Sequence, residues 1–205
     1  NDSPPYTSSF SMKEALDVGW LCQYKYYPRL VELESTEMEE YMKALNKEGN
    51  SIGAKISVAA RNVPPGLGEP IFDKFQSKLA QAIFSIPAVK GFEYGSGFDC
   101  VTMKGSDHND VFESENGVVT TKTNNSGGVQ GGISNGETVN FNVAFKPVAT
   151  IMQKQNSVNE KGEEVELDFK GRHDPCVVPR AVPIVEAMAA LTILDFLMLQ
   201  KLSHI

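Results

Sequence analysis

The C-terminal stretch 171–199 constrains the fold more than any other part of the chain, because it changes character halfway. Its first half, up to Pro183, is polar and carries three prolines, which fix φ and remove backbone donors. Its second half, 184–199, is almost wholly apolar, with Glu186 and Asp195 as its only charges. Alanine, methionine and leucine favour a helix, and Pro183 suits a helix's first turn. We therefore predict a helix over 184–199.

A helix that is apolar on nearly all sides belongs in a protein interior. The stretch 184–199 is short for a bilayer span, so we predict burial between protein layers and no membrane helix. The stiff segment before it then lies over the entrance to a core. Because that segment carries Arg172, His173, Asp174 and Arg180, we look for chemistry there.

Charge and cysteine content narrow the class of protein. The formal net charge of −7 argues against non-specific binding of nucleic acid. Three widely spaced cysteines without a CxxC motif indicate reduced thiols in a cytoplasmic protein, and no metal site is predicted. The N-terminus has no apolar leader and no initiating methionine, so we expect a processed or truncated chain with residues 1–11 loosely held.

The rest of the pattern predicts an α+β fold. Helices are predicted over 12–20, over 35–48 and over 71–86; the second is capped by Ser35 or Thr36 and ended by Gly49. Strands are predicted over 51–61, 89–103 (broken by two glycines), 138–145, 148–152 and 164–170, with a hairpin loop over 153–162. The core face of the third helix is predicted to be Phe72, Phe75, Leu79, Ile83 and Phe84.

Residues 105–136 form a long polar stretch rich in glycine, serine and asparagine. A loop of this length inside a compact domain is either functional or disordered. Its two glycine pairs permit close approach of the backbone to a ligand, and bare amides suit anions. The alternative is a flexible surface loop.

Three clusters carry candidate chemistry, each with a plainer interpretation. Asp107 and His108 place an acid beside an imidazole, or form a solvated loop pair. Lys146 offers a cation to a phosphate at a strand end, or is a surface lysine. Arg172 offers a planar guanidinium group that can bind phosphate or carboxylate, and Asp174 offers a carboxyl group that can exchange a proton. The plainer interpretation is that the two form a structural ion pair. The residues alone support only a pocket for an anionic, phosphorylated small molecule.

A resemblance to a known family gives a more specific prediction of function. Six segments resemble those of chorismate synthases and occur along the chain in the family's order. They are GRHDPCVVPRAVPIVEAM, VPPGLGEPIFDKF, SIPAVKGFEYGSGF, GSDHND, GGVQGGISNG and AFKPVATI. The resemblance implies a trans-1,4 elimination that converts 5-enolpyruvylshikimate 3-phosphate to chorismate, in the shikimate pathway of aromatic amino acid biosynthesis. It also implies reduced FMN as cofactor; NADPH is possible only as a flavin reductant. The implied architecture is a cytoplasmic homotetramer with helices layered between antiparallel sheets.

The same resemblance assigns residues. Asp174 is the implied catalytic group, a general acid/base that relays the ring proton. The implied FMN contacts are Asp107, His108, Gly131, Lys146, Pro147, Val148, Ala149, Thr150 and Arg172. Arg180 and Glu186 belong to the same signature and are given structural roles.

Two histidine-bearing motifs of the family, similar to GESHG and RPGHAD, are missing from this sequence. The chain's three histidines lie elsewhere and are not substitutes for them. We therefore expect residues 1–205 to be the C-terminal portion of one chorismate synthase domain, in which 105–136 is a long active-site loop region. We do not expect this portion to turn over by itself. The alternative is a non-catalytic domain derived from the family, which oligomerises or binds an anion.

Overall fold

The structure, a computed structural model, describes residues 27–28, 35–69, 71–115, 117–169, 171 and 174–203. The predicted helix over 12–20 and the segment 1–11 lie outside this part of the chain. The helices are α1 (Ser35–Glu48), α2 (Phe75–Phe84), the short α3 (Gly105–His108) and α4 (Val178–Ser203), with a 3₁₀ helix at Gly97–Thr102. The strands are β1 (Tyr27–Pro28), β2 (Ala54–Ala60), β3 (Val89–Tyr94), β4 (Phe112–Glu115), β5 (Val118–Thr121), β6 (Val129–Gln130), β7 (Ile133–Ser134), β8 (Val139–Phe145), β9 (Gln155–Val158) and β10 (Glu164–Leu167).

A four-stranded antiparallel sheet in the order β1-β2-β8-β3 organises the described residues. Strand β8 is central: Ala54 to Ala60 of β2 pair with Phe145 to Val139 on one side, and β3 pairs on the other. Alternate residues of β8 are buried, as expected when one face of a sheet packs on helices. The three remaining strand pairs are separate two-stranded hairpins. The predicted α+β class is confirmed.

Helices α2 and α4 cover the buried face of this sheet. Phe75 of α2 stacks on Phe196 of α4, with ring centroids 5.5 Å apart. Full burial of such a side chain contributes about 1.5–3 kcal/mol, so this contact helps hold the two helices together. The core that sheet and helices share includes Ile56, Val58, Phe141, Val143, Leu79, Ile83, Val185 and Ile193.

Several predicted elements differ from the structure. Helix α2 begins only at Phe75, so Phe72 precedes the helix and is 89% exposed, while Phe84 at its last position is 53% exposed. Their assignment to the core was wrong, because Phe72 lies outside the helix and Phe84, nine residues after the buried Phe75, lies on the opposite face of the helix. Residues 148–152 form no strand, and Gln155–Val158, predicted as loop, is a strand paired with β10. Residues 105–136 contain α3 and two hairpins, where a loop was predicted.

Helix α4 is longer than predicted. It begins at Val178. Pro179 is tolerated in its first turn, because the backbone N–H that proline lacks would have no hydrogen-bond partner within the helix at that position. Pro183, in the second turn, leaves the carbonyl of Pro179 without its helical partner, and Pro179 is exposed to solvent.

The predicted burial of α4 on nearly all sides is met on one face only among the described residues. One face is buried against the sheet and α2. The opposite face exposes apolar side chains at helical spacing: Ile184, Leu191, Leu194, Met198, Leu199 and Leu202. By length and composition Val178–Leu202 could cross a membrane, although core helices of soluble proteins meet the same criterion, so this is weak evidence.

Candidate functional site

Asp174 lies just before α4, at the end of β8 that leads into residues 146–150. The backbone N–H of Ile52 donates to the carbonyl oxygen of Pro175 over 2.8 Å, which ties this segment to the approach to β2. The Asp174 carboxylate is held by Arg180, whose Nη2 lies 2.9 Å from Oδ2 and 3.3 Å from Oδ1. Asp174 also lines a narrow crevice with Thr150 and residues 49–51. The structure thus brings together Asp174 and the end of the run 146–150.

The run 146–150 is held in place on both sides by residues that the sequence did not single out. The Lys146 N–H donates to the carbonyl oxygen of Ala88 over 2.9 Å. Ala88 has a φ of 71°, a left-handed conformation that costs energy for a residue with a Cβ. The Ser51 hydroxyl donates to the carbonyl oxygen of Val148 over 2.6 Å. Nothing in the sequence distinguishes Ser51 or Ala88, because each acts through a contact distant along the chain.

Asp107 and His108 lie at the other end of β8. His108 Nε2 is 2.9 Å from the Ser96 hydroxyl oxygen, and the Asn125 side-chain amide donates to the backbone oxygens of both Asp107 and His108. The backbone N–H of Gly95, next to Ser96, donates to Asn140 O near the start of β8. The two predicted flavin contacts are therefore near each other but apart from residues 146–150.

Gly131 forms the tip of the β6–β7 hairpin. Its φ of +63° favours glycine, and a Cβ added there would meet no atom within 4 Å, so the tip is open to a ligand. The hairpin rests on α2, because the Phe75 N–H donates to the carbonyl oxygen of Gly132 over 2.8 Å. Gly131 therefore lies nearer the Asp107–His108 end of β8 than the Asp174 end.

A buried carboxylate, Asp110, organises the polar stretch between α3 and β6. Its Oδ1 accepts from the Thr123 hydroxyl at 2.7 Å and the Asn125 N–H at 2.8 Å, and its Oδ2 accepts from the Ser126 N–H at 2.7 Å. Burial alone would raise the pKa of Asp110, but these hydrogen bonds outweigh it and lower the pKa. Sequence reasoning missed this residue, since an aspartate in a polar run gives no sign of being buried.

Arg172, another predicted flavin contact, and its neighbour His173 lie outside the described residues. Among the residues that the structure does describe, no three His, Cys, Asp or Glu side chains are placed to hold a metal ion. Burial raises the pKa of the Cys176 thiol, which keeps it in its unreactive protonated form.

Fold and site together define an α+β protein with a polar, solvent-facing site at the end of its central strand. The family model for chorismate synthase matches residues 23–198. The chain belongs to the chorismate synthase family. A solved structure, described as the crystal structure of chorismate synthase, superposes with a TM-score of 0.66 at 32% identity, over 80% of this chain and 43% of the solved one.

Curated relatives agree with this family. The chorismate synthase of Christiangramia forsetii is 57% identical over 169 residues, which are 82% of this chain and 47% of the relative. That of Flavobacterium psychrophilum is 51% identical over 202 residues, 98% of this chain and 53% of the relative. The chloroplastic chorismate synthase of Capnoides sempervirens is 58% identical over 158 residues, 77% of this chain and 35% of the relative. The chain thus spans about half the length of the bacterial relatives that it matches.

Proposed function

We propose that residues 1–205 form the C-terminal portion of a single chorismate synthase domain. The complete domain would convert 5-enolpyruvylshikimate 3-phosphate to chorismate and phosphate. Support for this role comes chiefly from one observation: Asp174 shares a crevice with Thr150, the last residue of the run 146–150, whose first residue is an exposed lysine. A cation there could meet a phosphate, and a nearby carboxyl group could move a proton.

The residues present fit a flavin phosphate in chemical type. Lys146 is exposed and forms no ion pair within the described part of the chain, so its ammonium group is available to an anion. The open backbone at Gly131 allows a planar ring to approach. When bound, reduced FMN supplies electron density that eases loss of the allylic phosphate. This chain's part is to bind the cofactor through residues 146–150 and Gly131, and to hold or move a proton at the Asp174 carboxylate.

The complete protein is proposed to be a cytoplasmic homotetramer, in which any NADPH would serve only as a reductant of the flavin. Its helices are proposed to be layered between two antiparallel sheets. The exposed apolar face of α4 supports this layering, because a helix layer that covers one sheet needs a second layer on its other side. The crevice at Asp174 has a free volume of only about 10 Å³, too small for a substrate, so we propose that the rest of the chorismate synthase domain completes the site.

The test uses a hybrid enzyme in which this chain replaces the matched 202 residues of the Flavobacterium psychrophilum relative. We expect chorismate to form anaerobically with reduced FMN, followed by its absorbance. Asp174→Asn should lower kcat by about 10²- to 10⁴-fold, the usual contribution of a general acid/base. The matched control is Asp168→Asn, the same change at an exposed aspartate that follows β10.

A hybrid that folds and binds substrate but forms no chorismate would contradict the proposed activity. It would favour the alternative, a non-catalytic domain that oligomerises or binds an anion. Near-normal turnover in the Asp174→Asn hybrid would instead remove only the role of Asp174.

A further inference from the structure

Two side chains hold consecutive carbonyl groups of the run 146–150. The Ser51 hydroxyl donates to the carbonyl oxygen of Val148 over 2.6 Å, and the Gln155 side-chain amide donates to that of Ala149 over 3.1 Å. The two donors come from different parts of the fold, because Ser51 precedes β2 and Gln155 is the first residue of β9. Two consecutive peptide groups of the run are therefore fixed in orientation.

These contacts also decide where the backbone N–H groups of the run point. In a trans peptide, the N–H points opposite to the carbonyl group of the preceding residue. The Ala149 N–H therefore points away from Ser51, and the Thr150 N–H points away from the side chain of Gln155. Neither N–H has an acceptor among the described residues, and Ala149 is exposed, so a ligand can approach it.

A phosphate group fits the donors that the run leaves bare. Backbone N–H groups without partners bind anions, and the exposed Lys146 adds an ammonium group beside them. The first half of the run offers no backbone donor, because the Lys146 N–H already donates to Ala88 and Pro147 has no N–H. The bare N–H groups are thus concentrated in its second half, where Ser51 and Gln155 act.

Ser51 also links the run to the segment that carries Asp174. The backbone N–H of the next residue, Ile52, donates to the carbonyl oxygen of Pro175 over 2.8 Å. Ser51, Thr150 and Asp174 line the same crevice. The Ser51 hydroxyl therefore sets the spacing between the bare N–H groups and the proposed proton-transfer group.

We infer that Ser51 is a positioning residue for phosphate binding, an inference that rests on the proposed function. Its hydroxyl holds the Val148 carbonyl group so that the following N–H faces outward, and Gln155 does the same one residue later. The ligand group is a phosphate monoester, carried by FMN or by the substrate. Ser51 acts through Val148 and is not a catalytic residue.

The test is Ser51→Ala in the hybrid enzyme, which frees the Val148 carbonyl group. The Kd for FMN, measured by quenching of flavin fluorescence, should rise by about 10-fold, because a hydrogen bond to a charged group usually contributes at least that much. Riboflavin has the same ring without the phosphate, so its Kd should not change. Ser51→Thr keeps the hydroxyl and should restore most of the FMN binding.

The matched control is Ser85→Ala at the end of α2. Ser85 is exposed, and its hydroxyl donates to the carbonyl oxygen of Ala82 over 2.6 Å, the same length as the bond that Ser51 makes. This variant should leave the Kd for FMN unchanged. Gln155→Leu should raise that Kd by less than Ser51→Ala does, because its hydrogen bond is longer and exposed.

A second measurement identifies the molecule that carries the phosphate. If it is the substrate, Ser51→Ala should leave the Kd for FMN unchanged and raise the Kd for 5-enolpyruvylshikimate 3-phosphate by a similar factor in calorimetry. Either result supports the positioning role of Ser51.

Failure of the wild-type hybrid to bind FMN would reject the proposed function. With wild-type binding intact, unchanged Kd values for both FMN and substrate in Ser51→Ala would overturn the positioning role. Equal weakening of FMN and riboflavin would overturn it as well, because the loss would then not depend on the phosphate.

Discussion

Arg180 is the residue that fixes the direction of the proposed proton-transfer group. It lies in the first turn of α4, while the backbone beside Asp174 is tied to Ile52, so the ion pair joins two separately anchored segments. Exposed pairs of this kind contribute only about 0–1 kcal/mol to stability, and the Arg180 side chain is 73% exposed. We therefore predict that Arg180 orients Asp174.

This role predicts non-additive kinetics in the hybrid enzyme. Arg180→Gln should lower kcat by about 10-fold or more with little change in FMN affinity or Tm, because only the orientation of the carboxylate is lost. In the Asp174→Asn background the same change should have almost no further effect on kcat. Arg180→Lys, which keeps the positive charge, should retain part of the kcat that Arg180→Gln loses. Equal effects of Arg180→Gln in both backgrounds would show that Arg180 does not act through Asp174.

Asp110 acts at the scale of an element, because its two oxygens hold residues 123–126 against the end of α3. Its folded-state pKa is lowered below the ordinary value of 3.8, so its contribution to stability is present above pH 3.8 and is lost as pH falls through the folded-state pKa. Asp110→Asn places an N–H₂ group against backbone donors and should cost about 1–3 kcal/mol at pH 7. Urea unfolding between pH 2 and pH 7 measures this.

The same urea unfolding experiments include a control for Asp110→Asn. Asp99→Asn, at an exposed position in the 3₁₀ helix, should change the free energy of unfolding by less than ~0.5 kcal/mol at any pH. If Asp110→Asn kept the full acid dependence of the wild-type chain, the hydrogen-bonded carboxylate would not be its source.

Elements with a strong local period were predictable from the sequence. Helix α1 and strands β2 and β8 lie where the pattern placed them, because propensity, capping and burial agree there. The stretch 105–136 was not, since its order depends on Asp110 contacting residues about fifteen positions away. Nor could the sequence reveal that His108 and Lys146 end up at opposite ends of β8, because strand pairing alone decides it. The roles of the site residues stay predictions.

At the scale of the whole molecule, the exposed apolar face of α4 predicts opposite effects of one substitution in two settings. Leu191, 59% exposed, lies in the middle of that face. In this chain alone, Leu191→Glu should reduce self-association in sedimentation experiments without lowering Tm, because the face is open to water. In the hybrid, where we propose that a second helix layer covers it, the buried charge should cost more than ~2 kcal/mol and lower Tm. Val158→Glu, the same kind of change at a residue 62% exposed on β9, should be neutral for Tm in both. A Tm change of equal sign and size for Leu191→Glu in both settings would mean that nothing covers α4, and the layered arrangement would have to be abandoned.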